Sequence, residues 1–280
     1  MNVISATCRD EVLSALADGH TSVLAGGQSL LPELGGRSGR RLVDINAVAE
    51  FEVLAEADGT LRVGPLVRHR TFESDAVTGP LGGLMRRVVR NIGHPPIRAR
   101  GTMLGSLAYA HPAAEWPVLT VILDARFELT GPGGGRTVPA EQFFTGPFTT
   151  ARRPEELLAE ARLPVLPDGT GVGYAEDRRG PGIYPEAAAM AAVTVADGLI
   201  SAAAIGLVNA GPCPVRARTA ERALVGSAFS DAAVLAAADA AAQLDANLSD
   251  LDGSERRRRQ RALQVLTRRA LTQARENTGP

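Results

Sequence analysis

Apolar residues first recur at helical spacing between Thr7 and Gly19, where Val12, Leu13 and Leu16 form a stripe. Thr7 can cap this helix, Asp10 lies three residues on, and Gly19 can close it. The apolar run Thr21 to Ala25 reads as a buried strand and is followed at once by Gly26-Gly27-Gln28-Ser29. After an Arg/Gly-rich connector, Arg41 to Ile45 reads as a second strand. Helix, strand, loop and strand predict a small α/β unit ending near Glu56.

The pattern then changes. Glu52 to Ala57 and Thr60 to Val67 flank Asp58-Gly59, the signal of a type I′ hairpin. Pro80 to Asn91 and Ala113 to Leu123 read as helices, the second with Pro117 near its start. Arg126 to Thr130 and Thr137 to Pro139 flank the glycine-rich run Gly131 to Gly135; with strands on both sides and no helix after it, a hairpin turn fits better than a phosphate loop. Pro154 to Ala161 reads as a short acidic helix before a strand at Arg162 to Val165. A Pro/Gly linker over Leu166 to Gly171 precedes strands near Val172–Ala175, Ala188–Val195 and Leu199–Val208, then helices from Val215, Asp231 and Ser254. The expected fold class is α+β, divided into domains at 1–56, 57–167 and 171–280.

Charge narrows the partners. The 280 residues carry 31 acidic and 30 basic side chains, a net charge of −1, so neither nucleic acid nor an anionic membrane is expected. All the basic residues are arginine, which reads as compositional bias. Ala187 to Ala210 is apolar but broken by Asp197-Gly198, so it predicts a hairpin and not a membrane span. With no signal pattern at Met1 to Asp10, a cytoplasmic protein is expected. Two distant cysteines, Cys8 and Cys213, make no disulfide framework and cannot ligate an iron–sulfur cluster alone. His20, His69, His94 and His111 show no metal-ligand spacing.

Two segments carry candidate chemistry. In Ala25 to Pro32, adjacent glycines after a strand can turn consecutive N–H groups into one anion-binding concavity, to which Ser29 can add a hydroxyl. A plain strand-to-helix turn fits the same residues, and neither a G-x-G-x-x-G nor a Walker lysine accompanies them. In Ile92 to Ala108, two prolines, three glycines and two arginines argue against a helix or a plain strand. This stretch is either a surface loop or a wall against a ligand, with Gly101-Thr102 and Gly105-Ser106 as donors. No nucleophile–base pair or carboxylate dyad stands out, so no catalytic side chain is assigned.

Several motifs in fixed order add a resemblance. They are LAGGQSLLP at Leu24 to Pro32, Val43-Asp44-Ile45-Asn46, IRARGTMLG at Ile97 to Gly105, and Ala110 to Pro117. Phe143 to Thr150 with Pro154 to Leu158, and Pro214 to Ala217, complete the set. Together they resemble the FAD-binding medium subunits of the xanthine dehydrogenase and carbon monoxide dehydrogenase family, over nearly the whole chain. The resemblance implies two small α/β units of the PCMH-type FAD-binding fold that grip FAD. It also implies a C-terminal domain of a small antiparallel sheet with helices that flanks the isoalloxazine ring. Leu24, Ala25, Gly26, Gly27, Gln28, Ser29 and Leu30 would hold the cofactor from one side. Gly101, Thr102, Leu104, Gly105, Ser106, Ala108 and His111 would hold it from the other. The implied role is a flavin electron relay in a heteromeric molybdenum hydroxylase, partnered by an iron–sulfur subunit and a molybdopterin subunit. The cofactor then carries the redox chemistry.

The chain departs from that family at positions near the expected flavin. Leu104 replaces the first glycine of a pair, His111 an aspartate and Ala99 an asparagine, while Arg178 to Tyr184 has lost an acidic residue. Two alternatives follow: a stand-alone flavoenzyme acting on a small molecule in biosynthesis, or a cofactor-free binding or assembly subunit. His111 is either ligand-facing or structural; Tyr184 could cover the flavin ring or a substrate but is expected to be a core or rim tyrosine, and Trp116 is expected to pack. Arg256 to Arg259 is expected to be a solvated helix face, with Leu263, Leu266 and Ala270 facing inward. The alanine-rich Asp231 to Leu244 is expected to pack closely on another helix.

Overall fold

The computed structural model describes residues 2–35 and 39–279. Strand β1 (Asn2–Ser5) leads into helix α1 (Arg9–Leu16), β2 (Thr21–Leu24), α2 (Leu30–Leu34) and β3 (Arg41–Asp44). Strands β4 (Leu54–Ala57) and β5 (Thr60–Val63) precede helices α3 (Gly79–Val89), α4 (Pro95–Arg100), α5 (Met103–Tyr109) and α6 (Glu115–Ile122). Next come β6 (Arg126–Gly131), β7 (Gly134–Pro139), the short α7 (Ala140–Phe143), β8 (Phe144–Gly146), β9 (Thr149–Thr150) and β10 (Leu157–Pro164). The remainder is β11 (Gly171–Asp177), β12 (Ala187–Ala196), β13 (Leu199–Val208), β14 (Val215–Arg216), α8 (Arg218–Leu224), α9 (Asp231–Ala240) and α10 (Gly253–Asn277).

These elements form two compact units. One takes the chain up to Thr71 with His94–His111 and Asp124–Val165; the other takes Phe72–Gly93, Pro112–Leu123 and the chain from Leu166. In the first unit a parallel sheet of order β1-β3-β2 stands beside an antiparallel sheet of order β4-β5-β10-β6-β7. Val12 and Leu16 of α1, Val43, Ile45, Phe51 and Leu157 pack into one apolar cluster there. The hairpin between β4 and β5 forms as expected, with positive φ at both Asp58 and Gly59, as a type I′ turn requires.

The second unit is built on an antiparallel sheet, β11-β12-β13-β14. Its β12 reads AAAMAAVTVA because both faces are covered and small side chains admit helices closely. On one face α10 comes so near β11 that a Cβ at Gly173 would lie 1.9 Å from the Ala270 carbonyl oxygen. On the other face Val118 and Ile122 of α6 press against Gly206. Leu263, Leu266 and Ala270 are buried, and α9 packs on α8 and α10 as its alanines suggest. Trp116 is fully buried, its ring centroid 5.2 Å from that of Phe72.

Several sequence expectations are corrected. Ile92 to Ala108 contains two helices: Pro95 and Pro96 open α4 in its first turn, where a missing N–H costs no helical bond, and Gly101 separates it from α5. Pro154 to Ala161 is no helix. Leu157 onward is the central strand β10, where Glu156 takes a bidentate bond from Arg136 at 2.7 and 2.8 Å, and Glu160 bonds Arg62 and Arg162. Tertiary pairing outweighs local helix propensity there. Residue Cys8, not Thr7, is the N-cap of α1; Thr7 instead donates its N–H to Glu11 at 2.6 Å. Val215 begins a strand, with α8 starting at Arg218. The solvated-face expectation holds for Arg256, Arg257 and Arg258, which are exposed, while Arg259 is partly buried. Arg256 donates to the carbonyls of Leu248, Ser249 and Leu251, and Arg259 to that of Asn209. Among the described residues β1 and α2 went unpredicted, and the connector read after Ser29 lies partly outside those residues.

Candidate functional site

The glycine loop leaves β2 at Leu24, runs through Ala25, Gly26, Gly27, Gln28 and Ser29, and enters α2 at Leu30. The second segment passes from α4 through Gly101 and Thr102 into α5, which carries Leu104, Gly105, Ser106 and Ala108. Although about 75 positions separate them in sequence, the two segments touch in the first unit. A Cβ placed on Gly26 would lie 2.2 Å from the Arg100 carbonyl oxygen and 2.7 Å from the Gly101 Cα. Only glycine permits that approach. Gly27 has φ +71°, the left-handed conformation that closes a nest of amides.

The donors suit an anion. Among the described residues, the backbone N–H groups of Gly26, Gly27, Gln28, Ser29, Thr102 and Leu104 find no protein acceptor. Thr102 caps α5, its hydroxyl accepting from Gly105 N–H at 3.1 Å. Gln28 folds back to donate from Nε2 to the Gly26 carbonyl at 2.9 Å. A diphosphate of FAD fits such a set, because unpaired amides from two loops match its oxygens and no carboxylate belongs to either loop.

Leu104 does not sit on the open side of α5. Its side chain is buried beside those of Met103 and Leu107, while Gly105 and Ala108 are exposed. Leu104→Gly is therefore expected to cost roughly 3–5 kcal/mol of stability, from lost burial plus helix propensity, without tightening FAD binding. Thermal melting and flavin titration of the variant check both parts.

His111 lies beyond the end of α5, half-buried, in an aromatic group with Tyr109 and Phe148. Its ring centroid is 6.3 Å from Tyr109 and 5.1 Å from Phe148. Ala110 and Phe148 both hold positive φ, 51° and 55°, and the Phe148 N–H donates to the Ala110 carbonyl at 2.9 Å. Burial lowers the His111 pKa, which favours the neutral imidazole.

Other groups at this place were not singled out in the sequence. Asn46 donates from Nδ2 to the Ala25 carbonyl at 3.0 Å, and Arg68 donates to the Arg100 carbonyl at 2.5 Å and to Asn46 Oδ1 at 2.6 Å. Asn46 and Arg68, with Asp44, Glu52, Ala99 and Arg100, line a cleft of about 680 Å³. The buried His69 lies against Gly101, its N–H bonded to the Gly101 carbonyl at 2.9 Å. Burial, then Arg98 and Arg68, push its pKa down to about 3. The motifs Val43-Asp44-Ile45-Asn46 and Ile97 to Gly105 carried sequence signal for this network, whereas Arg68 carried none.

The second unit holds its own buried polar cluster. Tyr174 donates to Glu176 at 2.9 Å, and Arg178 bonds Glu176 and the Asn91 carbonyl, with Glu115 3.9 Å away. Burial pushes the Glu115 carboxyl up to about 8, so it is largely protonated at neutral pH. Downstream, Ile183 and Tyr184 are exposed. Among the described residues no group of side chains could hold a metal ion, and no helix is long and apolar enough to cross a membrane.

Comparison with known proteins places this fold in a flavoprotein class. Residues 1–166 match the FAD binding domain in molybdopterin dehydrogenase, and residues 175–274 match the CO dehydrogenase flavoprotein C-terminal domain. The chain belongs to this family and is an FAD-binding flavoprotein of the oxidoreductase class. It is 34% identical over 237 residues to the carbon monoxide dehydrogenase medium chain of Hydrogenophaga pseudoflava, covering 82% of this chain and 81% of that one. It is also 34% identical to the 6-hydroxypseudooxynicotine dehydrogenase complex subunit alpha of Paenarthrobacter nicotinovorans, covering 97% and 93% of the two chains. Among solved structures it resembles a Hydrogenophaga pseudoflava carbon monoxide dehydrogenase lacking the Mo-pyranopterin moiety of its cofactor. That match has a TM-score of 0.90 at 31% identity and covers 100% of this chain and 98% of the other.

Proposed function

We propose that this chain is the electron-relaying flavin subunit of a heteromeric molybdenum hydroxylase. An iron–sulfur subunit delivers electrons to it, and a molybdopterin subunit oxidises the substrate. Its relatives carry names such as medium chain and complex subunit, which supports this placement. In this reading the FAD diphosphate lies between Ala25–Ser29 and Thr102–Ser106, and the functional divisions fall at 1–56, 57–167 and 171–280. The observation that carries it is the contact of Gly26 with Arg100 and Gly101, which brings together two segments whose amides have no protein acceptor.

The residues divide the work simply. The amides of both loops bind the diphosphate, Gly27 and Gln28 hold their directions, and the Thr102 cap fixes the start of α5. Bound FAD supplies a ring that accepts electrons and passes them on. Neither loop contributes a proton-transferring side chain, and His69 beneath Gly101 stays neutral, so the chain's contribution there is position and electrostatics.

Purification with its neighbours tests the role. The chain is expected to be yellow, with flavin near one per chain, and to co-purify with a cysteine-rich iron–sulfur chain and a large molybdopterin chain. A yellow protein that purifies alone and turns over a small molecule would replace the relay with a stand-alone flavoenzyme. A colourless chain that takes up no added FAD would remove both.

A further inference from the structure

We infer that Asn46 and Arg68 act together as a clamp that sets the separation and polarity of the two halves of the diphosphate cradle. They are positioning residues for FAD. The inference rests on the placement of the diphosphate proposed above, and concerns residues outside both glycine loops.

The geometry is a continuous chain of bonds. Asp44, at the end of β3, accepts the Asn46 N–H at 2.9 Å and its Nδ2 at 2.6 Å, which fixes the amide plane of Asn46. That amide donates onward to the Ala25 carbonyl at 3.0 Å and accepts Arg68 Nη2 at 2.6 Å. The other arm of Arg68 reaches the Arg100 carbonyl at 2.5 Å. Arg68 is itself anchored, since its backbone bridges to Thr102, with His69 N–H on the Gly101 carbonyl and Met103 N–H on the Val67 carbonyl. One guanidinium and one amide thus tie together the carbonyls that immediately precede Gly26 and Gly101.

Those two carbonyls matter for an anion. In a trans peptide the C=O and the following N–H point in opposite directions. Holding the Ala25 oxygen on Asn46 therefore turns the Gly26 N–H the other way. The Arg100 oxygen is the atom pressed against Gly26, and left bare it would present a negative dipole at the junction of the two loops. Arg68 takes up that lone pair and adds a positive charge behind the junction. Its guanidinium is partly buried, so burial, then Arg100 and Arg70, lower its pKa, while Glu52 and Asp44 partly offset them.

The test uses the full chain freed of flavin, with FAD titrated directly and ADP titrated in competition as a probe of the diphosphate. Arg68→Met is expected to raise both dissociation constants in parallel by roughly 10- to 100-fold, and Asn46→Ala by roughly tenfold. The double variant should be little worse than Arg68→Met, because the two act as one unit. Arg68→Lys keeps the charge but not the two-armed reach; it should fall between wild type and Arg68→Met, and serves if the methionine variant does not fold. An unchanged FAD affinity in Asn46→Ala and Arg68→Lys overturns the clamp, as does a weakened FAD affinity with ADP unaffected. Gly26→Val separates this from the underlying reading. If it loses FAD while the clamp variants bind normally, only the clamp is wrong; if it too binds FAD normally, the cradle is misplaced.

Discussion

Replacing Gly26 by valine is expected to leave the folded protein without flavin. The new Cβ would fall 2.2 Å from the Arg100 oxygen and 2.7 Å from the Gly101 Cα, both backbone atoms that cannot rotate aside. The loops must part by on the order of 1 Å, since carbon contacts settle near 3.5–4 Å. Hydrogen bonds to a charged group contribute about 1.5–3 kcal/mol each. Spoiling two or three of them weakens binding by roughly three decades or more at 1.4 kcal/mol per decade. Gly27→Ala makes the contrast. At φ +71° it brings strain of about 1–2 kcal/mol, and its nearest neighbours are the flexible ends of Leu31 and Leu24. Its expected loss is therefore about one decade. Flavin absorbance per folded chain, with circular dichroism to establish folding, separates the two. A folded Gly26→Val protein with normal flavin content would contradict the site.

Acid should expose His69. This imidazole is 5% exposed, and burial together with Arg98 and Arg68 holds its pKa near 3. In the unfolded chain it takes its proton near 6.5, whereas in the folded chain it resists until about 3. Between those values the unfolded state binds more protons, so stability falls as pH falls. The linkage is fully expressed below about pH 3 and absent above about 6.5. It amounts to roughly 5 kcal/mol over that window at 1.36 kcal/mol per pH unit. His69→Gln has nothing to titrate there. The stability difference between the two flavin-free proteins should shift by about 3 kcal/mol in favour of the variant from pH 7 to pH 4, measured by denaturant unfolding. A constant difference would show that His69 protonates freely and is not the sealed floor under Gly101.

The elements legible in the sequence were those whose local chemistry matched their final environment. Asp58-Gly59 and Asp197-Gly198 specify tight turns because both members of each pair adopt positive φ. The alanine-rich strands of the second unit and the inward face of α10 could likewise be read from side-chain size and period. Misreadings arose where a long-range partner decided the outcome. Pro154 to Ala161 has a helix-like sequence, but Arg136 and Arg62, drawn from distant strands, fix its carboxylates in the middle of a sheet. The prolines and glycines of Ile92 to Ala108 suggested irregular chain, yet Pro95 and Pro96 start one helix and Thr102 caps the next. The glycine loop was visible as an isolated motif. Its contact with Arg100 and Gly101, and the Asn46–Arg68 link behind it, depend on folding across dozens of residues and leave no local periodicity to read.

A crystal structure of the flavin-loaded chain would test the central claim most directly. The diphosphate oxygens are expected within about 3 Å of backbone nitrogens from both Gly26–Ser29 and Thr102–Ser106, with the Leu104 side chain still buried. A diphosphate bound elsewhere, or touching only one of those segments, would contradict the account.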